Sequence, residues 1–159
     1  MATMAEQMTE EQQVPEYLVG STSGIIHSQD MPWISQPGIE GSEIKLLRTI
    51  PETGGMVFLL RIQPGVKGPM HKHFASAEYY VLQGRVSFGD ARLSPGSYAY
   101  ELGGFRHTED APEEEVVMLF ITHGPLQIIN DDGSRGIVVD TDSIVRAVER
   151  HKEQMLAEA

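Results

Sequence analysis

The sequence predicts an all-β fold, a small barrel or sandwich closed by a C-terminal helix. From residue 44 onward, short runs rich in Val, Ile, Leu, Phe and Tyr recur between Gly, Pro and Asp breakers. Many short strands at such spacing are the pattern of sandwiches and barrels. Neither strand–helix alternation nor an internal repeat of about 20–50 residues is present. A chain of 159 residues fits one domain and is long enough to bury a core without disulfides or other staples.

The predicted strands are Ile44–Thr49, Met56–Ile62, Glu78–Leu82, Val86–Phe88, Ser97–Glu101, Val116–Thr122, Leu126–Ile129 and Gly136–Val139. Between them lie Pro51 with Gly54-Gly55, Pro64-Gly65, Gly84, Gly89-Asp90, Pro95-Gly96, Gly103-Gly104, Gly124-Pro125 and Asp131-Asp132-Gly133. Pro and Gly punctuate strands because one lacks an N–H and the other adopts turn conformations freely. Alternation puts Val116, Met118, Phe120 and Thr122 on one face, where Met118 and Phe120 can form core or a pocket wall. Residues 1–30 read as an N-terminal arm, mostly Glu, Gln and Thr up to residue 14. Short strands are expected near Tyr17-Leu18-Val19 or Gly24-Ile25-Ile26, within irregular wrapping. Residues 31–140 form the barrel. Residues 141–159 form an amphipathic helix, capped by Thr141 or Asp142, with Ile144, Val145, Val148 and Met155 on one face. That face is expected to pack on the barrel or on a partner subunit.

Composition excludes several classes. The formal net charge is −11, which repels phosphate backbones, so nucleic-acid binding is not expected. No apolar run reaches about 18 residues, so no membrane span is expected. The acidic start MATMAEQMTEEQQ has neither the basic nor the apolar part of a secretory signal, which predicts a cytoplasmic protein. There is no Cys, so any metal must sit on His, carboxylate or water.

Six histidines remain as candidates. His71-Lys72-His73 would point both imidazoles to one side of a strand. His27 and His151 are expected in solvent, and His123 at a strand end is expected at a rim or interface. A Glu on a barrel strand is costly unless paired or wet, so Glu101 either has an inward role, with Arg61 or Arg85 as possible partners, or faces out.

The spacing Gly65-x5-His71-x-His73-x4-Glu78-x5-Gly84 resembles the first cupin motif. Gly96-x5-Leu102-x-Gly104-x2-His107 resembles the second, with Leu102 in place of the usual Pro and Ala111 in place of the usual Asn. The resemblance implies a double-stranded β-helix in which the two motifs are facing strands and His71, His73 and His107 converge on one metal. PETGG at 51–55, LQGR at 82–85, GSYAYE at 96–101 and GPLQIINDDG at 124–133 are similar to one cupin subgroup, which contains acetylacetone-cleaving and 2,4'-dihydroxyacetophenone dioxygenases. It implies Fe(II) on the three His, with Zn, Ni, Mn or Cu as possible occupants. The implied reaction is cleavage by O2 of a C–C bond beside a carbonyl in a small β-dicarbonyl or aryl hydroxyketone. Glu101 matches an acidic residue beside the metal site, and Tyr79 a tyrosine next to the first-motif Glu. The subgroup also contains anti-sigma sensor domains, and two other readings stand beside the dioxygenase: a non-catalytic metal- or ligand-binding sensor, and a Zn- or Mn-dependent isomerase.

Three neutral imidazoles would leave the full dipositive charge of an ion, which favours an anionic chelate such as an enolate. Glu78 is not expected to be a fourth ligand. The motif places its Glu seven positions before the closing Gly, which here is Ala77, and a shift of one residue turns a side chain to the opposite face. The arm, the helix stripe and exposed strand edges predict a homodimer or homotetramer.

Overall fold

The computed structural model describes residues 16–21 and 23–159. The expected arm residues 1–15 lie outside the described residues. Among the described residues, thirteen strands, a short 3-10 helix (Ser28–Asp30) and one long α-helix follow one another. The larger sheet contains β1 (Leu18–Val19), β2 (Ile34–Ser35), β3 (Ser42–Ile50), β4 (Gly55–Ile62), β6 (Ala77–Gln83), β9 (Tyr98–Glu101) and β11 (Val116–Thr122). Its order is β1-β3-β4-β11-β6-β9, with β2 also paired to β3. The smaller sheet runs β10 (Arg106–His107), β5 (His71–His73), β12 (Leu126–Ile129) and β13 (Arg135–Val139). A separate hairpin pairs β7 (Val86–Phe88) with β8 (Ala91–Leu93). The result is the small all-β barrel expected, with α1 (Thr141–Glu158) at its C-terminal end.

Strand periodicity builds the core. Met56, Phe58, Leu60 and Ile62 of β4 and Val116, Met118, Phe120 and Thr122 of β11 are all buried. The register sets Phe58 opposite Phe120 and Leu60 opposite Met118, and Phe120 meets Tyr79 of β6 on its other side. Three rings then stack, with centroids 5.4 Å apart for Phe58–Phe120 and 5.2 Å for Tyr79–Phe120. Gly84 closes β6 with φ +76°, and a Cβ there would lie 2.3 Å from the Glu115 carbonyl oxygen. Both the conformation and the close approach require glycine.

Several expectations are corrected. The helix is capped by Asp140, not Thr141 or Asp142. The Asp140 carboxylate accepts from the Ser143 N–H at 2.9 Å, and Ser143 Oγ receives the Asp140 N–H at 2.8 Å. Thr141 instead donates its hydroxyl to the Gly55 carbonyl at 2.8 Å, tying the helix start to β4. Ile144, Ala147 and Val148 are buried where the helix meets β2, β3 and β13, but Met155 is 55% exposed and lies past the end of that contact. Gly24–Ile26 forms no strand, whereas Leu18–Val19 pairs in parallel with β3. Among the described residues, no helix is long and apolar enough to cross a membrane.

Candidate metal centre

His71 and His73 alternate inward from β5 with only Lys72 between them, and both are buried. His107 on β10 lies directly opposite His71 in the antiparallel register, so the two rings meet at a centroid distance of 4.3 Å. The His-bearing strands of the two motifs are thus hydrogen-bonded neighbours in the smaller sheet, as β6 and β9 are in the larger one, which corrects the expectation of facing strands. Short strands pair side by side here because Gly103 and Gly104 turn the chain back beside β5, where the Gly104 N–H donates to the His73 carbonyl at 2.7 Å.

The three imidazoles form a cluster able to hold a metal ion, with one ligand atom from each within 4.8 Å of the others. His71 Nε2 and His73 Nε2 are 3.2 Å apart. Two donors at about 2.0–2.1 Å from one ion and at octahedral to tetrahedral angles are separated by about 2.8–3.4 Å, so the spacing fits. His71 donates its Nδ1–H to the Pro69 carbonyl at 3.0 Å, which leaves the Nε2 lone pair free toward the cluster. His107 Nδ1, His107 Nε2 and Glu101 Oε2 are buried without a hydrogen-bond partner. Buried polar atoms left unpaired are costly, and a bound cation would take one of the two His107 ring nitrogens.

The facing sheet contributes Glu101 and Tyr79. Ala99 and Glu101 of β9 turn inward while Tyr98 and Tyr100 are exposed, so alternation carries the carboxylate to the cluster. Glu101 Oε2 lies 3.3 Å from His73 Nε2 and 3.1 Å from His107 Nε2, and Oε1 accepts from the Tyr79 hydroxyl at 3.1 Å. Neither Arg61 nor Arg85 reaches Glu101. Arg61 alternates outward between Leu60 and Ile62, pairs with Glu43 at 2.6 Å and covers Trp33, while Arg85 pairs with Glu114 at the surface.

The electrostatics follow from burial and neighbours. Desolvation, with His71 alongside, pushes His73 down to about 4, so this ring is neutral and ready to act as a ligand. Burial opposes ionisation of Glu101, but His107, His73 and the Tyr79 hydroxyl outweigh it and hold the carboxyl below its ordinary range. Burial also disfavours charge on His107, yet Glu101 and Glu109 more than compensate and raise it. Burial and then Glu101 push the Tyr79 hydroxyl well up, so it stays a protonated donor.

Glu78 turns away, as the register argument requires. Ala77 is buried, while Glu78 accepts from the Tyr98 hydroxyl at 2.7 Å and meets His123 Nε2 at 2.6 Å on the outer face. His27 is exposed, but His151 is half-buried rather than free in solvent. Glu109 was not anticipated. It is 9% exposed, with Oε1 3.6 Å from His71 Nε2. It therefore flanks the cluster at His71, as Glu101 does at His73 and His107, and the expected full dipositive charge is offset by two nearby carboxylates. A cavity of about 40 Å³ opens beside His71, His73 and Glu109, walled by Phe58, Leu60, Ile62 and Phe120.

With this geometry in view, residues 21–127 match the family described as the ChrR cupin-like domain. The chain belongs to that family. An RmlC-like cupin protein from Ralstonia eutropha superimposes with a TM-score of 0.74 at 25% identity, covering 82% of this chain and 87% of that one. Acetylacetone dioxygenase from Acinetobacter johnsonii shares the cupin fold with a TM-score of 0.68 at 20% identity, covering 88% and 95%. The complex of SigE with the anti-sigma ChrR from Rhodobacter sphaeroides matches at TM-score 0.50 and 26% identity, over 60% of this chain and 50% of that one. Among curated proteins, cytochrome P450 76T24 from Catharanthus roseus is 30% identical over 86 residues, which is 53% of this cupin chain but only 17% of that protein.

Proposed function

We propose that this cupin is a metal-dependent dioxygenase, with Fe(II) on His71, His73 and His107, that cleaves a C–C bond beside a carbonyl in a small β-dicarbonyl or aryl hydroxyketone. The observation that carries the reading is the buried three-imidazole cluster, whose His107 and Glu101 lie 3.1 Å apart without a well-formed hydrogen bond. Bound iron would polarise the substrate carbonyl as a Lewis acid and supply the redox chemistry that O2 requires. The chain's own residues supply the rest. His71 is held in one tautomer by Pro69, and His73 is wedged against Phe120, with ring centroids 6.3 Å apart. Tyr79 donates to Glu101 Oε1 and so fixes the carboxylate, leaving Oε2 turned toward the site as an acceptor. Phe58, Leu60 and Phe120 keep the inner wall apolar and dry.

Iron-loaded protein should consume O2 with at least one enolisable diketone or hydroxyketone, and zinc-loaded protein should not, since zinc has no redox chemistry. Glu101→Gln should slow turnover by about 10-fold or more while metal content holds, consistent with a residue that orients rather than ligates. No uptake across a broad panel by fully iron-loaded protein would overturn the enzyme reading. The result would then favour a non-catalytic metal- or ligand-binding sensor, the reading supported by the ChrR likeness. The outward Glu78 tells against an isomerase that relies on a first-motif carboxylate ligand. We also infer a homodimer or larger assembly, since β9 ends its sheet with Tyr98 and Tyr100 exposed. A monomeric mass by light scattering at micromolar concentration would contradict it.

A further inference from the structure

We propose that the outer face of the larger sheet, across β4, β11, β6 and β9, is where a second copy of this chain docks, face to face about a two-fold axis. The proposal deepens the assembly inference above and rests on it; it does not depend on the metal reading.

The face breaks the usual alternation. An antiparallel sheet with one side on a core ordinarily turns polar residues to water on the other. Here the outward positions of β4 include Val57 and Leu59, and those of β11 are Val117, Leu119 and Ile121. On β6 and β9 the outward residues include Tyr80, Leu82, Tyr98 and Tyr100, all exposed. The register aligns them into rows. Leu59, Leu119, Tyr80 and Tyr98 stand side by side across the four strands, and Val57, Ile121, Glu78 and Tyr100 form the next row. A contiguous apolar patch of this kind marks a contact site. The helix α1 packs on β2, β3 and β13 instead. On the β3 side the face ends where Lys45 and Arg61 hold Trp33.

Size, shape and charge select a second copy of the chain as the occupant. Four strands about 4.8 Å apart, by the seven residues of β11 at about 3.4 Å each, give roughly 450 Å² in projection. Side chains standing off a sheet expose more than their projection, so the face approaches the about 800 Å² per partner of a stable complex. The face is also complementary to itself, with an aliphatic half on β4 and β11 and an aromatic half on β6 and β9. A two-fold axis parallel to the strands, between β11 and β6, sets Leu119 of one copy over Tyr80 of the other and Leu59 over Tyr98. Such an isologous contact is the commonest in homodimers, and the two sheets would lie aligned as in a sandwich. Glu78, the acid within these rows, is already paired with His123 at 2.6 Å and with the Tyr98 hydroxyl at 2.7 Å, so covering it leaves no charge unpaired. The chain carries a formal charge of −11, so two copies approach with least repulsion through a face whose charge is neutralised.

The test measures mass by light scattering and the dimer dissociation constant by sedimentation velocity, on the full chain. Wild-type protein should be dimeric at micromolar concentration. Tyr80→Glu and Leu119→Lys should each raise the dissociation constant by about 100-fold or more, because each buries an unpaired charge in the contact. Tyr80 is 43% exposed in the single copy, so its variant keeps the monomer's packing intact. Ile137→Glu, at an exposed position of β13 in the smaller sheet, should stay dimeric. Mixing the Tyr80→Glu and Leu119→Lys proteins should restore a dimer, because the new carboxylate of one meets the new ammonium of the other across the axis. A misfolded variant could not give that rescue. A dimer that survives both variants, or one that Ile137→Glu disrupts equally, would overturn the proposal and leave the assembly reading standing on another surface. Two monomeric variants that fail to associate when mixed would overturn the two-fold arrangement. A monomeric wild type would overturn the assembly reading and this proposal with it, and would leave the face to another protein or to residues 1–15.

Discussion

His73→Ala should leave the protein essentially unable to hold a transition metal, with affinity falling by more than the roughly 10–100-fold typical of changes to residues that merely support a ligand. The imidazole is 1% exposed, and burial holds its pKa down to about 4, so it needs no deprotonation near neutral pH before it can bind. Its Nε2 lies 3.2 Å from His71 Nε2 and 3.3 Å from Glu101 Oε2, at the centre of the donor set. Alanine would remove that donor and leave a void against Phe120. The outer histidine His151, far along α1, provides the control, and its alanine variant should retain full metal content. Metal analysis of protein purified without oxygen decides the matter. Full occupancy in His73→Ala would dismiss the three-histidine centre.

Much of this arrangement was legible because alternation is a local property. The bounds of β11 and β12 follow from their apolar runs and flanking breakers, and the inward set Val116, Met118, Phe120 and Thr122 follows from period two. The same rule separates Ala77 from Glu78 even though β5 and β6 are broken by Phe74-Ala75-Ser76 and lie in different sheets. What alternation could not reveal were elements defined only by their neighbours. Strands of two or three residues, such as β2, β8 and β10, exist because another strand already offers its edge, and their own residues show little pattern. The cap was misplaced by one or two residues because Asp140 sits directly after β13, where strand and helix share a boundary. Arg61 does not partner Glu101, because its position between the inward Leu60 and Ile62 turns it out toward Glu43. Glu109 carried a usable signal. It stands two residues after His107, as His73 stands two after His71, although β10 itself ends at His107.

Phe120→Ala should cost about 3–5 kcal/mol of folding stability, the range for deleting a buried aromatic ring without full collapse of the space. The side chain is 4% exposed and is the middle ring of the Phe58–Phe120–Tyr79 stack, so no neighbour can close over the gap without unstacking. Denaturant titration of the metal-free protein reads the loss directly, because bound metal would add its own stabilisation to the folded state. A second effect separates this residue from ordinary core. Its ring lies nearly parallel to His73, at 16° and 6.3 Å, and Tyr79 on its other side orients Glu101. Removing it frees both the ligand and the group that positions the carboxylate, so metal affinity should fall even in conditions where the variant is fully folded. Phe120→Leu should recover most of the stability, because it refills the apolar space, but less of the affinity, because it cannot restore the flat contact behind His73. If alanine lowers stability by less than about 1 kcal/mol, or if leucine restores both properties equally, the aromatic stack is packing alone and has no part in holding the site.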